Sequence, residues 1–161
     1  MFKMYNTNLE TNITEETKEF IRGNWINMVS PNEEEIKRVC ENIKIQEDFI
    51  KYALDPEEKA RIDIEEDDNT ILFIIDTPVI EIEAGAKVYS TMPIGVIFVR
   101  DDYIVTVSLK KNPILDELEK KKIKTIVTYK KSRMLLQLFY SNSEMFLNLL
   151  KKLNKETEIA E

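Results

Sequence analysis

Clustered carboxylates are the side chains of this sequence that could do chemistry. They form three groups, at residues 33–35, 65–68 and 101–102. Hard divalent cations such as Mg²⁺ need several oxygen ligands, which such groups can supply. No EF-hand spacing with its fixed glycine is present. The first group also suits a helix start and the other two suit turns between strands, so structural roles are favoured for all three.

Other kinds of site are excluded or disfavoured by residue content. The chain has no histidine and one cysteine, Cys40, which excludes Cys–His pairs, Ser–His–Asp triads and histidine metal sites within it. Cys40 falls in an apolar helical pattern and is expected to be buried. The three glycines, Gly23, Gly85 and Gly95, are isolated, so no phosphate-binding loop is predicted. No carboxylate pair stands out for acid–base catalysis, and the chain is predicted not to be an enzyme.

Charge is distributed unevenly along the 161 residues, whose formal net charge is −7. Residues 1–109 hold 11 basic and 23 acidic side chains, whereas residues 110–161 hold 12 basic and 7 acidic ones. An acidic protein is a poor partner for nucleic acid, so Trp25 is expected to be a core anchor rather than a stacking platform. The basic end either pairs with acidic surface of the same or a neighbouring subunit or lies near anionic lipid, and the first is favoured.

Strands are predicted where apolar residues alternate or run together between turn residues. Residues 1–9 are expected to form an edge strand. The run 71–75 indicates a strand buried on both faces, as in a sheet covered by helices. Ile62 and Ile64 are expected to point inward, and Pro78 to interrupt the long strand. The remaining predicted strands are residues 24–29, 61–65, 70–82, 91–99 and 103–109.

Helices are predicted from caps and 3.6-residue periodicity. Residues 14–19 carry helix signals, Ser30 is the expected N-cap of a helix through residue 43, and a second helix is expected at about 46–54. A short helix follows Pro113, residues 123–129 are either a strand or a connector, and Ser132 is expected to cap a long helix. Its main apolar stripe is predicted to be Leu135, Leu138, Phe139, Phe146, Leu149, Leu150 and Leu153.

Together these elements predict one α/β domain over residues 1–161, a three-layer α/β/α sandwich with a mixed sheet of roughly five to seven strands. No signal peptide is expected, and the longest apolar run, residues 71–75, is far shorter than the roughly 18–20 residues of a membrane span. The long helix from about residue 132 shows no C-cap signal up to Glu161. We therefore expect a helix that is cut short rather than one that ends.

Several local sequences, in this order, resemble the CorA family of magnesium transporters. They include Trp25-Ile26-Asn27, similar to the family's Trp-Ile/Val-Asp/Asn strand, then two short helices and the run at residues 61–65 before a strong strand. The strand at residues 103–107 resembles the family's Ile/Leu-Thr-Val strand. The helix from Pro113, the long helix and its ending at residues 153–161 complete the resemblance, which covers nearly the whole chain after about Gly23.

This resemblance implies the N-terminal cytoplasmic domain of a transporter for Mg²⁺ or another divalent cation, on the cytoplasmic side of the cell membrane. Its partners would be its own stalk and transmembrane region, with a Gly-Met-Asn pore motif, and four further copies in a pentamer. The chain holds none of those membrane parts, so it is expected to regulate and assemble rather than to conduct. The alternative is a free-standing binding module of the same fold.

The sequence departs from the family where regulatory magnesium would bind. Lys51-Tyr52 stands where the family carries Glu-Asp, and Met145-Phe146 stands near the place of an acidic pair in the long helix. A cation and a phenol cannot replace two carboxylates as ligands. A regulatory Mg²⁺, if bound, is therefore expected at other acids, and the candidates are Glu66, Asp67 and Asp68.

Overall fold

The computed structural model describes the backbone of residues 2–160 and the side chains of residues 2–120 and 126–157. Three strands, two helices, four strands and two helices follow one another along the chain. Their bounds are β1 Phe2–Thr7, β2 Thr14–Thr17, β3 Trp25–Val29, α1 Glu33–Ile43, α2 Asp48–Tyr52, β4 Arg61–Glu65, β5 Thr70–Glu83, β6 Ala86–Val99, β7 Tyr103–Ser108, α3 Pro113–Thr125 and α4 Lys131–Ala160. The expectation that the long helix is cut short at Glu161 concerns a residue outside the described ones.

The seven strands form one mixed sheet in the order β2-β1-β3-β7-β6-β5-β4. Only β3 and β7 pair in parallel, and every other neighbouring pair is antiparallel. One core cluster joins the sheet to α1 and α2, and a second joins its other face to α3 and α4. The predicted three-layer sandwich that ends in a long helix is confirmed.

The first 20 residues differ from the prediction. Residues 14–17 form strand β2 instead of a helix, and β2 covers β1, which is therefore an interior strand rather than an edge. The hydroxyls of Thr7 and Thr14 are hydrogen-bonded at 2.7 Å, and Thr14 also donates to the carbonyl of Ile126 at 2.6 Å. These non-local bonds satisfy the threonine side chains in a way that local propensity does not signal.

Helix α1 begins two residues later than predicted. Asn32, not Ser30, is the N-cap, and it forms a capping box in which its side chain accepts from the Glu35 amide at 2.8 Å while the Glu35 carboxylate accepts from the Asn32 amide at 3.1 Å. Ser30 has a positive φ of 46° and lies in the connection. The predicted buried face, including Cys40, is confirmed.

The paired strands β5 and β6 are longer than predicted and uninterrupted. They pair over 14 residues each, but β4 reaches only to Ile74 of β5, and β7 begins at Ile94 of β6. The outer halves therefore form a two-stranded ribbon. Pro78 and Pro93 both lie in this ribbon, where one side of each strand has no neighbour to bond, so neither proline breaks the pairing.

Ile62 and Ile64 do not point into a core. Their side chains are 62% and 66% exposed, because β4 is the last strand of the sheet and the helices do not cover it. Helix α4 buries or half-buries most of its predicted stripe, but not all of it. Leu138 faces the sheet together with Met134 and Asn142, and Leu135 packs beside them, whereas Phe139 and Leu150 of that stripe are exposed. Residues 126–130 are a connector, not a strand.

The buried thiol of Cys40 predicts a loss of stability at high pH. Burial raises the pKa of Cys40 to about 11 in the folded protein. Its unfolded pKa is about 8.5, so between about pH 8.5 and 11 the unfolded state gives up its proton first, and stability falls by up to about 1.4 kcal/mol per pH unit. Urea unfolding of wild type and Cys40→Ala should show a difference in stability that changes over this range. A pH-independent difference would contradict the assignment.

Candidate functional site

The predicted cation ligands lie in the acidic turn, residues 66–69, which joins β4 to β5. Asn69 adopts a positive φ of 47°, and its amide donates to the carbonyl of Glu66 at 3.2 Å. The amide of Arg100, in the turn between β6 and β7, donates to the carbonyl of Asn69 at 2.9 Å. Glu66, Asp67 and Asp68 therefore lie in one turn at an end of the sheet, beside a second turn.

Arg100 connects this end of the sheet to both helical layers. Its guanidinium donates to the carbonyl of Ile43 at 2.5 Å, at the C-terminal end of α1. Its own carbonyl accepts a hydrogen bond from the Lys131 ammonium at the start of α4. The sequence indicated only a turn here, because each of these partners is distant along the chain.

The two other acidic groups have structural roles. Glu35 closes the capping box of α1, Asp102 pairs with Arg22 and Arg100, and Asp101 lies 3.4 Å from the Lys131 ammonium. These acids cap a helix or are neutralised by a cation, which are the structural roles that the sequence favoured.

The acidic turn differs in its electrostatics. Among the side chains that the structure describes, no ion pair engages Glu65, Glu66, Asp67 or Asp68. Across residues 2–120 and 126–157, no three Cys, Asp or Glu side chains are grouped so that they could hold a metal ion. A cation site at the turn stays a prediction.

The second short helix carries a cation where the family resemblance places carboxylates. The Lys51 ammonium donates to Glu47 at 2.8 Å and lies 3.7 Å from Glu33. The hydrogen bond to the Glu47 carboxylate raises the pKa of Lys51. The ring of Tyr52 is covered by the guanidinium of Arg61, 4.9 Å from the ring centre. Lys51 and Arg61 therefore form ion pairs and a cation–π contact on this surface.

A buried polar network holds the Trp25-Ile26-Asn27 strand in place. The indole N–H of Trp25 donates to the hydroxyl of Thr106 at 2.9 Å, and that hydroxyl donates to the amide oxygen of Asn27 at 2.9 Å. Glu119 of α3 accepts from the Tyr5 hydroxyl at 2.6 Å and lies 3.4 Å from the Asn27 amide nitrogen. Burial, and then the bond to Glu119, raise the pKa of Tyr5. The network joins β3 to β7 and to the α3 layer.

Helix α4 has a second apolar side that faces away from the sheet. This outward face of α4 consists of Leu136, Tyr140, Leu147 and Leu150, which are 67%, 65%, 56% and 54% exposed. Their spacing follows a heptad pattern, which places them along one side of the helix. At 30 residues α4 is about 45 Å long. Among the described helices none is long and apolar enough to cross a membrane.

Two contacts fix the inward side of α4 to the sheet and ribbon. The Asn142 amide donates to the carbonyl of Asp76 at 3.0 Å. Fourteen residues later, Glu156 accepts from the Tyr89 hydroxyl at 3.0 Å and lies 3.9 Å from the Lys87 ammonium. These contacts show which side of α4 packs on the sheet, and they leave the outward face of α4 more than half exposed.

Solved structures with this fold include two of a CorA magnesium transporter and one of a ZntB cytoplasmic domain. The complete CorA magnesium transporter of Methanocaldococcus jannaschii superposes with a TM-score of 0.76 at 20% identity, covering 98% of this chain and 49% of that one. The soluble domain of the same CorA gives a TM-score of 0.80 at 20% identity, covering 98% of this chain and 62% of that one. The ZntB cytoplasmic domain of Vibrio parahaemolyticus gives 0.72 at 11% identity, covering 95% and 62%. At these identities the likeness establishes the fold.

The sequence itself matches a family model over most of its length. Comparison with curated protein sequences gave no significant match. The chain spans about half the length of the complete CorA structure. The model for the CorA-like Mg²⁺ transporter protein matches residues 22–161, which includes the Trp25 strand, the acidic turn and α4. The chain therefore belongs to the CorA-like Mg²⁺ transporter family.

Proposed function

We propose that this chain is the cytoplasmic regulatory and assembly domain of a divalent-cation transporter. The observation that carries the proposal is the outward face of α4, since a helix with a second apolar side needs a second packing partner. The family match extends through this helix. In the whole protein, α4 leads into the stalk and transmembrane region, and its outward face contacts sister copies. The complete assembly contains five copies.

Such a domain acts by changing its conformation. Arg100 links the acidic turn to the end of α1 and, through Lys131, to the first turn of α4. A ligand or partner that binds one arrangement of these elements more tightly shifts the domain toward that arrangement. Because α4 is the element that leaves the domain, its displacement carries the change to the stalk.

The sequence of the natural gene tests the proposal that this chain is one domain of a transporter. We expect it to encode, after residue 161, two apolar spans of roughly 20 residues each and the family's Gly-Met-Asn motif. Membrane fractionation of the full-length product should place it in the membrane. A gene that ends at residue 161 would instead favour the alternative, a free-standing binding module of the same fold.

Regulatory Mg²⁺ is proposed at Glu66, Asp67 and Asp68. Their carboxylates are the hard oxygen ligands that Mg²⁺ prefers, and no described cation neutralises them. Millimolar Mg²⁺ should raise the melting temperature, because a ligand that binds only the folded state stabilises it. The variant Glu66→Gln/Asp67→Asn/Asp68→Asn should lose the shift, whereas Glu15→Gln/Glu16→Gln on β2 should keep it. An unchanged melting temperature in wild type would refute the site.

A further inference from the structure

The free edge of the sheet carries an apolar surface that the helices leave uncovered. Ile64 pairs with Ile71, which pairs with Phe98, which pairs with Ile104 in the core beside α3 and α4. Cross-strand neighbours point to the same face of a sheet, so Ile64 lies on the α3–α4 face. Along this row exposure rises from 1% at Ile104 to 66% at Ile64, and Ile62 beside it is 62% exposed.

Unpaired negative charge lies at one end of this apolar surface. The acidic turn follows β4 directly, and Glu65, Glu66, Asp67 and Asp68 form no ion pair with any described side chain. Together, Ile62, Ile64 and residues 66–68 are called the β4 patch below. The patch combines an apolar area with an acidic turn at one end, so a complementary partner is apolar and carries basic side chains at one end.

The outward face of α4 has that complementary composition. Leu147 and Leu150 are more than half exposed, and Lys151 follows four residues after Leu147, on the same side of the helix. Lys155 lies one turn further along. Neither lysine forms an ion pair with a described side chain. Glu144, the acid on this side, accepts a hydrogen bond from Tyr140 at 3.2 Å.

The two surfaces are too far apart to meet within one chain. The acidic turn is linked through Arg100 to Lys131, at the beginning of α4. Lys151 lies 20 residues further along the helix, about 30 Å away. The far end of α4 is held at the ribbon by Glu156 and Tyr89. Complementary charges at opposite ends of a rigid unit can neutralise one another only between molecules.

We propose that the β4 patch of one copy binds the C-terminal half of the outward face of α4 in a second copy of this chain. The inference rests on the proposed assembly function and names the surface that receives the helix. Because the two surfaces are different, the contact is head-to-tail rather than two-fold symmetric, and repeating it generates a ring or an open array.

Sedimentation velocity of the chain in metal-free buffer tests the pairing. Wild type should associate in a concentration-dependent and salt-sensitive manner. The patch variant Ile64→Ser/Asp67→Lys and the helix variant Leu147→Ser/Lys151→Glu should each raise the dissociation constant at least about tenfold. The control Ile82→Ser/Glu15→Lys alters an isoleucine that is 76% exposed on the ribbon and an acid on β2, and it should associate like wild type.

Mixing the two interface variants distinguishes a head-to-tail contact from a symmetric one. Each variant keeps one intact surface, so an equimolar mixture should form a one-to-one dimer that cannot extend. A mixture that stays monomeric, a wild type that remains monomeric at millimolar concentration, or interface variants that associate like wild type would each overturn the proposal. If the full-length protein takes up cations but this chain does not associate, only this contact is refuted. If this chain associates but the full-length protein takes up no cation, only the transport function is refuted.

Discussion

Replacing Gly95 with alanine is expected to destabilise the protein by about 2–3 kcal/mol, within the range for overpacked cores. Gly95 lies in the middle of β6, where it is paired on both sides with Ile74 and Val107. A Cβ at this position would lie 2.6 Å from the Cβ of Ala53 at the end of α2. Neither atom is the end of a flexible side chain, so the helix or the strand must shift.

The matched control removes the opposing methyl group. Ala53→Gly alone should cost about 0.5–1 kcal/mol through backbone entropy. The double variant Gly95→Ala/Ala53→Gly should then be more stable than Gly95→Ala, with a coupling of about 1–3 kcal/mol in a double-mutant cycle measured by urea unfolding. Strict additivity of the two changes would show that the close approach of α2 to β6 is not the cause.

Thr106→Val is expected to cost about 2–4 kcal/mol. The substitution keeps the shape of the side chain but removes the hydroxyl between Trp25 and Asn27. The indole N–H of Trp25, which is 0% exposed, and the amide oxygen of Asn27, which is 5% exposed, then lose this partner. A buried polar group without a partner costs about 1–3 kcal/mol.

Thr106→Ser separates the hydrogen bonds from the packing. Serine retains the hydroxyl and removes a methyl group, so its cost should be about 1 kcal/mol, from the lost burial alone. Thermal unfolding should therefore rank wild type above Thr106→Ser and Thr106→Ser above Thr106→Val. Trp25 is the single tryptophan, and its fluorescence should change in Thr106→Val but not in Thr106→Ser. The reverse order of the two variants would mean that packing, not the network, fixes this strand.

The local sequence correctly predicted the elements in which apolar residues recur with one clear periodicity. Helix α1 and strand β3 lie close to their predicted places, because capping residues and apolar spacing determine them. Where tertiary contacts decide, the prediction was wrong. Residues 14–17 form a strand because Thr14 bonds to Thr7 and to the connector before α4. Ile62 and Ile64 were wrongly predicted to point inward, because no local signal distinguishes a core strand from an edge strand such as β4.

The surfaces proposed for function were only partly visible in the sequence. The acidic turn was located correctly as a turn, since its residues are contiguous. The role of Arg100 was missed, because its contacts with Asn69, Ile43 and Lys131 span all three layers. The surplus apolar side of α4 was predicted, but the side that packs on the sheet was predicted only in part, because several stripes of the helix have similar apolar content.

Uptake of Mg²⁺ by the full-length natural protein in liposomes is the measurement that most directly tests whether this domain serves a divalent-cation transporter. Liposomes that contain the protein and a trapped magnesium indicator should take up Mg²⁺ from outside faster than empty liposomes, and the patch variant Ile64→Ser/Asp67→Lys should change that rate. Full-length protein that is inserted in the membrane and moves neither Mg²⁺ nor Co²⁺, Ni²⁺ or Zn²⁺ would contradict the proposed function.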